Sequence, residues 1–253
     1  MPELDARERA VRQYDHYYKD GPSEWRRLGA VDKVRNIVAL CGQLSVRSIL
    51  EIGAGDGAIL SRLSDLGFGD ELHAVEISGS GVDVIRRRGI PRLVECRQFD
   101  GATLPYLGNR FDLAILSHVI EHVENPRQLL YEAARVARYV FVEVPTEDNS
   151  RRPDNYLPDS VGHINFFSRR TIRWLVQSCG LCVLTQITTN PSMETYVYRA
   201  RRRGWIQYQT KQTLLRWVPN FARRHFCYHE ALLATRPRVG SDAQRTAARP
   251  AER

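Results

Sequence analysis

Ile49-Leu-Glu-Ile-Gly-Ala-Gly-Asp-Gly-Ala-Ile-Leu60 is the stretch on which the fold turns. A short, largely apolar run enters a turn built on glycines 53, 55 and 57, and a helical stripe (Ile59, Leu60, Leu63, Leu66) opens at once. Glycines at such a turn let the chain bend sharply and let a ligand approach without a Cβ in the way. Further short apolar runs follow at 72–77, 92–96, 111–116 and 139–144. They are strand-length and β-branched, and they lack alternation, as strands covered on both faces do. Helical patterns separate them. One carries Val82 and Ile85 and stops at Gly89; another starts at Asn125-Pro126 and runs through Ala137. Alternation of this kind predicts an α/β architecture: a doubly wound, mostly parallel Rossmann-like sheet with helices on both faces.

Around this centre the spacing predicts three further regions. Residues 1–45 read as an N-terminal helical cap, with Leu28, Val31, Val34, Val38 and Cys41 as its apolar face. Residues 46–236 form the Rossmann-like domain, with a loop at 146–161, a Ser168-capped helix, strands at 181–189 and 230–235, and a basic helical insertion at 190–229. Residues 237–253 read as a disordered tail. The chain has 253 residues, 43% hydrophobic and 26% charged, which excludes a disordered protein and permits a sizeable core. No apolar run reaches the roughly 18–20 residues of a membrane helix. The polar start lacks a secretory core, and five scattered cysteines read as reduced thiols, so a cytoplasmic protein is expected. Cys179-Gly-Leu-Cys182 is read as a helix stop at Gly180 followed by a strand rather than as a redox or zinc motif.

The net charge of +8 is uneven: residues 199–253 hold 13 Lys+Arg against 3 Asp+Glu, so the rest of the chain carries −2. That distribution argues against a nucleic-acid-coating protein. The basic stretch with Arg201-Arg-Arg203 and two tryptophans is read as a solvated face; contact with a membrane surface or an anionic substrate stays open.

The turn itself admits two ligands. Gly53-x-Gly55-x-x-Ala58 fits a dinucleotide fingerprint, and Glu76 stands nineteen residues past Gly57, where such a site places an acid on ribose hydroxyls. Yet Glu51 before the turn and Asp56 inside it would sit badly beside a pyrophosphate. A ligand cationic at one end suits them better, and S-adenosylmethionine carries a sulfonium and an ammonium.

Four segments in order carry a resemblance: Leu50-Glu-Ile-Gly-Ala-Gly-Asp-Gly57, Ala74-Val-Glu-Ile77, Phe99-Asp-Gly-Ala-Thr-Leu-Pro105, and Phe111-Asp-Leu-Ala-Ile-Leu-Ser-His-Val-Ile-Glu-His-Val123. With them the chain resembles the class I S-adenosylmethionine-dependent methyltransferases, in particular their small-molecule branch, over about residues 46–189 and again at the final strand. Gly162-His-Ile-Asn-Phe-Phe167 before a Ser-capped helix adds to the likeness. The resemblance implies that Glu51 with Gly53, Ala54, Gly55 and Gly57 holds the methionine end. It implies that Glu76 binds the ribose, Ile77 lies against the adenine, Asp100 beside Gly101 accepts from the adenine amino group, and Ser117-His118 borders the reacting methyl. Transfer to O, N or C of a small-molecule acceptor in biosynthesis is the expected reaction. A nicotinamide-dependent oxidoreductase and a non-catalytic module docking through the basic C-terminal region are the alternatives; the oligomeric state is not fixed.

His118 has two readings, a general base or a wall and hydrogen-bond donor. His163, Asn165 and Tyr18 are candidate acceptor contacts, with loop anchoring as the rival reading for the first two. Tyr14, Tyr17, Tyr18 and Trp25 form either a lid over the cofactor or aromatic packing on the sheet. Asp112 reads as structural. His118-Val-Ile-Glu121-His122 matches the H-x-x-E-H pattern of zinc proteases. That chemistry needs both histidines one turn apart inside a helix and a third ligand, whereas His118 falls on a strand-to-helix turn. No metal is therefore expected, and Glu121 and His122 are taken as helix-starting residues.

Overall fold

The computed structural model describes residues 6–19, 23–156 and 162–237. A seven-stranded sheet forms its centre, in the order β3-β2-β1-β4-β5-β7-β6. The strands are β1 (Ser48–Ile52), β2 (Glu71–Glu76), β3 (Leu93–Gln98), β4 (Phe111–Ser117), β5 (Ala137–Pro145), β6 (Cys182–Thr189) and β7 (His229–Thr235). All pair in parallel except β7, which runs antiparallel to both β5 and β6. Strand order reverses between β1 and β4. The chain leaves these two neighbours in opposite directions, so a crevice opens beyond their carboxyl ends, where ligands of open α/β sheets bind.

Strands β1, β2, β4, β5 and β7 have both faces covered, but β3, expected to be covered too, is an edge strand and largely exposed, with Val94 in solvent. Leu50, Ile52, Leu116 and Val140 pack under α5 (Pro126–Val136) and α6 (Arg169–Ser178), through Leu129, Leu130, Ile172 and Val176. Ile49, Leu113, Ile115 and Phe141 face the other way, against α2 (Glu24–Cys41), α3 (Ala58–Asp65) and α4 (Gly79–Arg88), through Val34, Ile37, Leu60 and Ile85. A strand's period of two then puts Glu51, Ser117 and Glu143 on the α2 side, each near the tip of its strand.

Several expected boundaries shift. The helix at 126 ends at Val136, not Ala137, because Ala137 already opens β5. Asn125 occupies the N-cap position, but its side chain makes no cap bond. Residues 118–125 form turns rather than a helix start, so Glu121 and His122 do not begin α5. In α2, Val38 is 37% exposed while Asp32 and Asn36 are buried. The buried Asp32 Oδ2 accepts from Ser192 N–H at 2.9 Å and from the Thr195 hydroxyl at 2.9 Å, which fixes the start of α7 (Met193–Trp217). The insertion is helical, as expected, but α7 kinks at Ala200–Arg201 and is followed by α8 (Pro219–His225). Cys182 opens β6 after Gly180 at φ +78°, and the cysteines are free. Among the described residues no helix is long and apolar enough to cross a membrane. The expected tail falls outside the described residues from 238 onward, as does the loop at 157–161.

Candidate active site

The glycine turn follows β1 directly. Gly53, Gly55 and Gly57 have φ of +72°, +59° and +73°, a left-handed run that side-chain-bearing residues rarely adopt. The amides of Gly53 and Ala54 donate to the Val75 carbonyl at 2.9 and 3.1 Å, clipping the turn onto β2. At the tip of β2, Glu76 is buried. Its Oε2 accepts from Gly55 N–H at 2.8 Å and its Oε1 from Ser78 N–H at 3.0 Å. Burial pushes the Glu76 carboxyl upward, against the pull of these amides.

Glu51 is the more exposed to electrostatic cost. It is fully buried, its Oε2 has no hydrogen-bond partner, and burial pushes its carboxyl well above the usual range, with the Lys33 charge opposing. Ser117 at the tip of β4 likewise has a buried hydroxyl without a partner. Two polar groups left unsatisfied at adjacent strand tips cost about 1–3 kcal/mol each. A group bearing an ammonium is a fitting complement.

Asp56 behaves otherwise. Its Oδ2 accepts from Arg26 Nε at 2.9 Å and lies 3.1 Å from Arg88 Nη2. The turn's second carboxylate is thus neutralised and says nothing about the ligand's charge; that part of the sequence reasoning is corrected, and Glu51 alone carries it.

Asp100 Oδ1 accepts from the backbone N–H groups of Ala102 and Thr103, at 2.9 and 2.7 Å, and so shapes the loop after β3. A Cβ on Gly101 would stand 3.1 Å from Ile77 Cδ1, so these two line one slot. Tyr18 lies on the same side, over the glycine turn: its hydroxyl would be 2.7 Å from a Cβ on Gly55. Its helix α1 (Ala6–Tyr18) is pinned to the start of α4 by Asp15, whose Oδ1 accepts from Ser78 Oγ at 2.8 Å and from Ser80 N–H at 3.1 Å. The guanidinium of Arg26 stands 5.4 Å from the Tyr18 ring while it holds Asp56.

Across the crevice His118 has φ +57°, an uncommon left-handed geometry for a residue with a Cβ. Its N–H donates to the Glu143 carbonyl at 2.9 Å. Its ring lies between two buried carboxylates, with Nε2 3.3 Å from Glu143 Oε1 and Nδ1 3.3 Å from Glu121 Oε1. His229 Nδ1 approaches the same Glu143 oxygen at 3.2 Å, and Asn36 Nδ2 donates to Oε2 at 3.2 Å. Burial disfavours the imidazolium of His118, but the two carboxylates outweigh it and raise its pKa. For His229 burial wins, and the pKa is lowered. Glu143, though buried, is held far below the carboxylate range by the two imidazoles.

The structure brings the loop at 162–167 to this side. His163 Nδ1 lies 2.7 Å from Glu147 Oε2. Asn165 spends both amide hydrogens on carbonyls of the turn after β4, Ile120 at 3.1 Å and Val123 at 2.7 Å, which is the geometry of a loop anchor. Asp112 accepts from the amides of Arg47 and Ser48 and is structural. Sequence reasoning missed Lys33, Glu143 and His229. Lys33 sits in a helix heptad with nothing to mark it, yet its charge reaches Glu51, His118 and His229. Glu143 and His229 come together only through antiparallel pairing of β5 and β7.

Residues 19–186 match the family model described as a methyltransferase domain. The chain belongs to that methyltransferase family. A dehydrogenase and a module without activity are thereby set aside. No curated protein sequence matches significantly. Among solved structures, geranyl diphosphate C-methyltransferase of Streptomyces coelicolor A3(2), with Mg²⁺, geranyl diphosphate and S-adenosyl-L-homocysteine, is 15% identical at a TM-score of 0.66. That similarity covers 93% of this chain and 99% of that one. A geranyl diphosphate methyltransferase with sinefungin is 14% identical at 0.59, covering 81% and 77%. The [4+2]-cyclase SpnF is 16% identical at 0.60, covering 81% and 80%. At such identities these methyltransferase neighbours establish the fold, and the cyclase shows that one fold hosts several chemistries.

Proposed function

We propose that this methyltransferase moves the methyl group of S-adenosylmethionine to an oxygen, nitrogen or carbon of a small-molecule acceptor bound between the turn after β4 and the loop at 162–167. The observation that carries the reading is Glu51: a fully buried carboxyl group with an unpartnered oxygen, beside a glycine turn whose other wall is Glu76. S-adenosylmethionine, when bound, supplies an electrophilic methyl on a sulfonium. Glu51 complements its ammonium and Lys33 its carboxylate. Glu76 keeps lone pairs for the ribose hydroxyls beyond those used by Gly55 and Ser78. Ile77, Asp100 and Gly101 shape the adenine slot, and Tyr18 on α1 covers the turn and excludes water.

The chain contributes orientation and desolvation more than acid–base chemistry. The carboxylates of Glu121 and Glu143, each 3.3 Å from a ring nitrogen, favour the protonated ring, so His118 serves as a hydrogen-bond donor and wall rather than as a base. Asn165 positions the acceptor loop without touching the acceptor. The fold of several neighbours and the open crevice both favour a small acceptor over a macromolecular one.

Calorimetry with S-adenosylhomocysteine tests the cofactor half. Binding to the wild type, weakened by Asp100→Ala and by Gly55→Arg, is expected; unchanged affinity in both would contradict the site. Transfer of labelled methyl into small-molecule extracts, with mass analysis of the product, tests the acceptor half, and label appearing only in macromolecules would overturn it.

A further inference from the structure

We propose that Glu121, His122 and His163 form a binding site for one divalent transition-metal ion. Their ligand atoms lie within 4.8 Å of one another. Glu121 is fully buried and neither carboxylate oxygen makes a hydrogen bond, although His118 Nδ1, 3.3 Å from Oε1, helps hold the carboxyl below its usual range. An ionised carboxylate buried without a hydrogen bond keeps lone pairs that a second cation would take up.

The two histidines are prepared in the way metal ligands are. His122 Nδ1 stands 3.2 Å from the Gly162 carbonyl, and His163 Nδ1 stands 2.7 Å from Glu147 Oε2. The Gly162 carbonyl only accepts, so His122 Nδ1 carries the hydrogen and its Nε2 is the basic nitrogen, while the Glu147 carboxylate orients the His163 ring. Such outer partners fix the tautomer and orientation of metal-bound imidazoles. The rings cross at 65° with centroids 4.7 Å apart. The frame beneath them is held by Ile164 N–H and Asn165 N–H, both on the Glu121 carbonyl at 2.9 and 3.0 Å, besides the two Asn165 side-chain bonds.

Two imidazoles and one carboxylate, with a coordination position left over, suit zinc, iron, cobalt or nickel better than magnesium or calcium, which prefer all-oxygen shells. The neighbouring trio of His118, Glu143 and His229 is the weaker candidate, because Asn36 already donates to Glu143 and both imidazoles already face its Oε1. The H-x-x-E-H pattern thus contributes only its Glu-His end. The third ligand comes from a loop some 40 residues on, which spacing along one helix could not reveal. The site lies beside the cofactor turn, since a Cβ on Gly53 would meet Val119 Cγ2 at 2.8 Å.

The test uses the full chain stripped with a chelator and titrated with Co²⁺, followed by its visible d–d absorption, with Zn²⁺ as competitor. Absorption saturating at about one ion per chain and displaced by Zn²⁺ is expected. Glu121→Gln and His163→Asn remove it. Glu147→Gln, which leaves all three ligands in place, raises the Co²⁺ Kd about 10- to 100-fold. His229→Asn leaves it unchanged. S-adenosylhomocysteine binding and far-UV circular dichroism confirm that each variant folds; if Glu121→Gln does not fold, Glu147→Gln carries the test. No saturable spectrum, a spectrum unaltered in Glu121→Gln or Glu147→Gln, or one lost in His229→Asn alone overturns the proposal. None of these results bears on cofactor binding, which the same calorimetry reads separately.

Discussion

Two glycines two residues apart in α4 should respond to alanine with opposite sign. In a helix, alanine is preferred over glycine by up to about 1 kcal/mol, so propensity alone favours both Gly79→Ala and Gly81→Ala. Their surroundings differ. A Cβ on Gly79 meets nothing closer than Gln98 Oε1 at 3.8 Å, an ordinary contact. A Cβ on Gly81 stands 2.8 Å from the Gly55 carbonyl oxygen, 2.9 Å from Glu76 Cγ and 3.3 Å from Tyr18 Cδ2. The Gly55 oxygen is backbone within a clipped turn and cannot swing aside, so overpacking costs about 1–3 kcal/mol. Since the propensity gain is common to both, urea unfolding should separate the variants by about 1–3 kcal/mol, with Gly79→Ala the more stable. Relief of the clash moves Glu76 and the glycine turn together. S-adenosylhomocysteine affinity should therefore fall about tenfold or more in Gly81→Ala, for each 1.4 kcal/mol of displacement cost, and hold in Gly79→Ala. Equal stability of the two variants, or wild-type affinity in Gly81→Ala, would refute the claim that α4 must press against the turn to build the crevice.

Glu51→Gln should raise stability and lower cofactor affinity together. From its usual value near 4.5 upward, the unfolded chain releases the Glu51 proton while the buried group retains it, so this residue draws stability down as pH rises. Removing it should lift the neutral-pH Tm by about 2–4 °C per kcal/mol recovered; a lower Tm or undiminished S-adenosylhomocysteine binding counts against the assignment. For His118, a donor role predicts that kcat/KM falls as pH rises through its raised pKa, and that His118→Ala costs about tenfold. A rate that instead climbs with pH and drops by 10² or more in the variant identifies a base. Burial pushes the Lys211 ammonium down to about 8 from 10.5, where its Nζ donates to the Tyr196 hydroxyl and to the Cys227 carbonyl. Between those pH values the folded chain has lost a proton that the unfolded chain keeps, so stability rises with pH. The difference between wild type and Lys211→Met should grow by up to about 3 kcal/mol across the window, and a flat difference in denaturant titrations would show that the ammonium is not buried.

The proposed acceptor half of the crevice is assembled from parts that are remote in the chain. His118 and Glu143 end adjacent parallel strands, while His229 begins the antiparallel β7 and reaches Glu143 only because β7 inserts between β5 and β6. Asn36 joins from α2. The left-handed φ at His118, held by its N–H on the Glu143 carbonyl, is a strained geometry of the kind that clusters where ligands are handled.

Local chemistry made the central motif legible. Left-handed φ at the turn demands glycine, strands buried on both faces demand continuous apolar runs, and Gly89 and Ser168 mark a helix end and a helix start, so each leaves a signature within a few residues. The parallel pairing of β1 with β2, which brings Glu51 and Glu76 to neighbouring strand ends, follows from that local pattern. What spacing could not carry is charge balance and long-range company. Asp56 reads as a ligand contact until Arg26 and Arg88 are seen to neutralise it, and nothing in the sequence marks Lys33, whose charge reaches Glu51 from α2. Glu121, His122 and His163 form a group only because the loop at 162–167 folds back onto the turn after β4. Hydrogen-bond satisfaction and desolvation depend on every neighbour in space, and neither is encoded in the period of a single helix or strand.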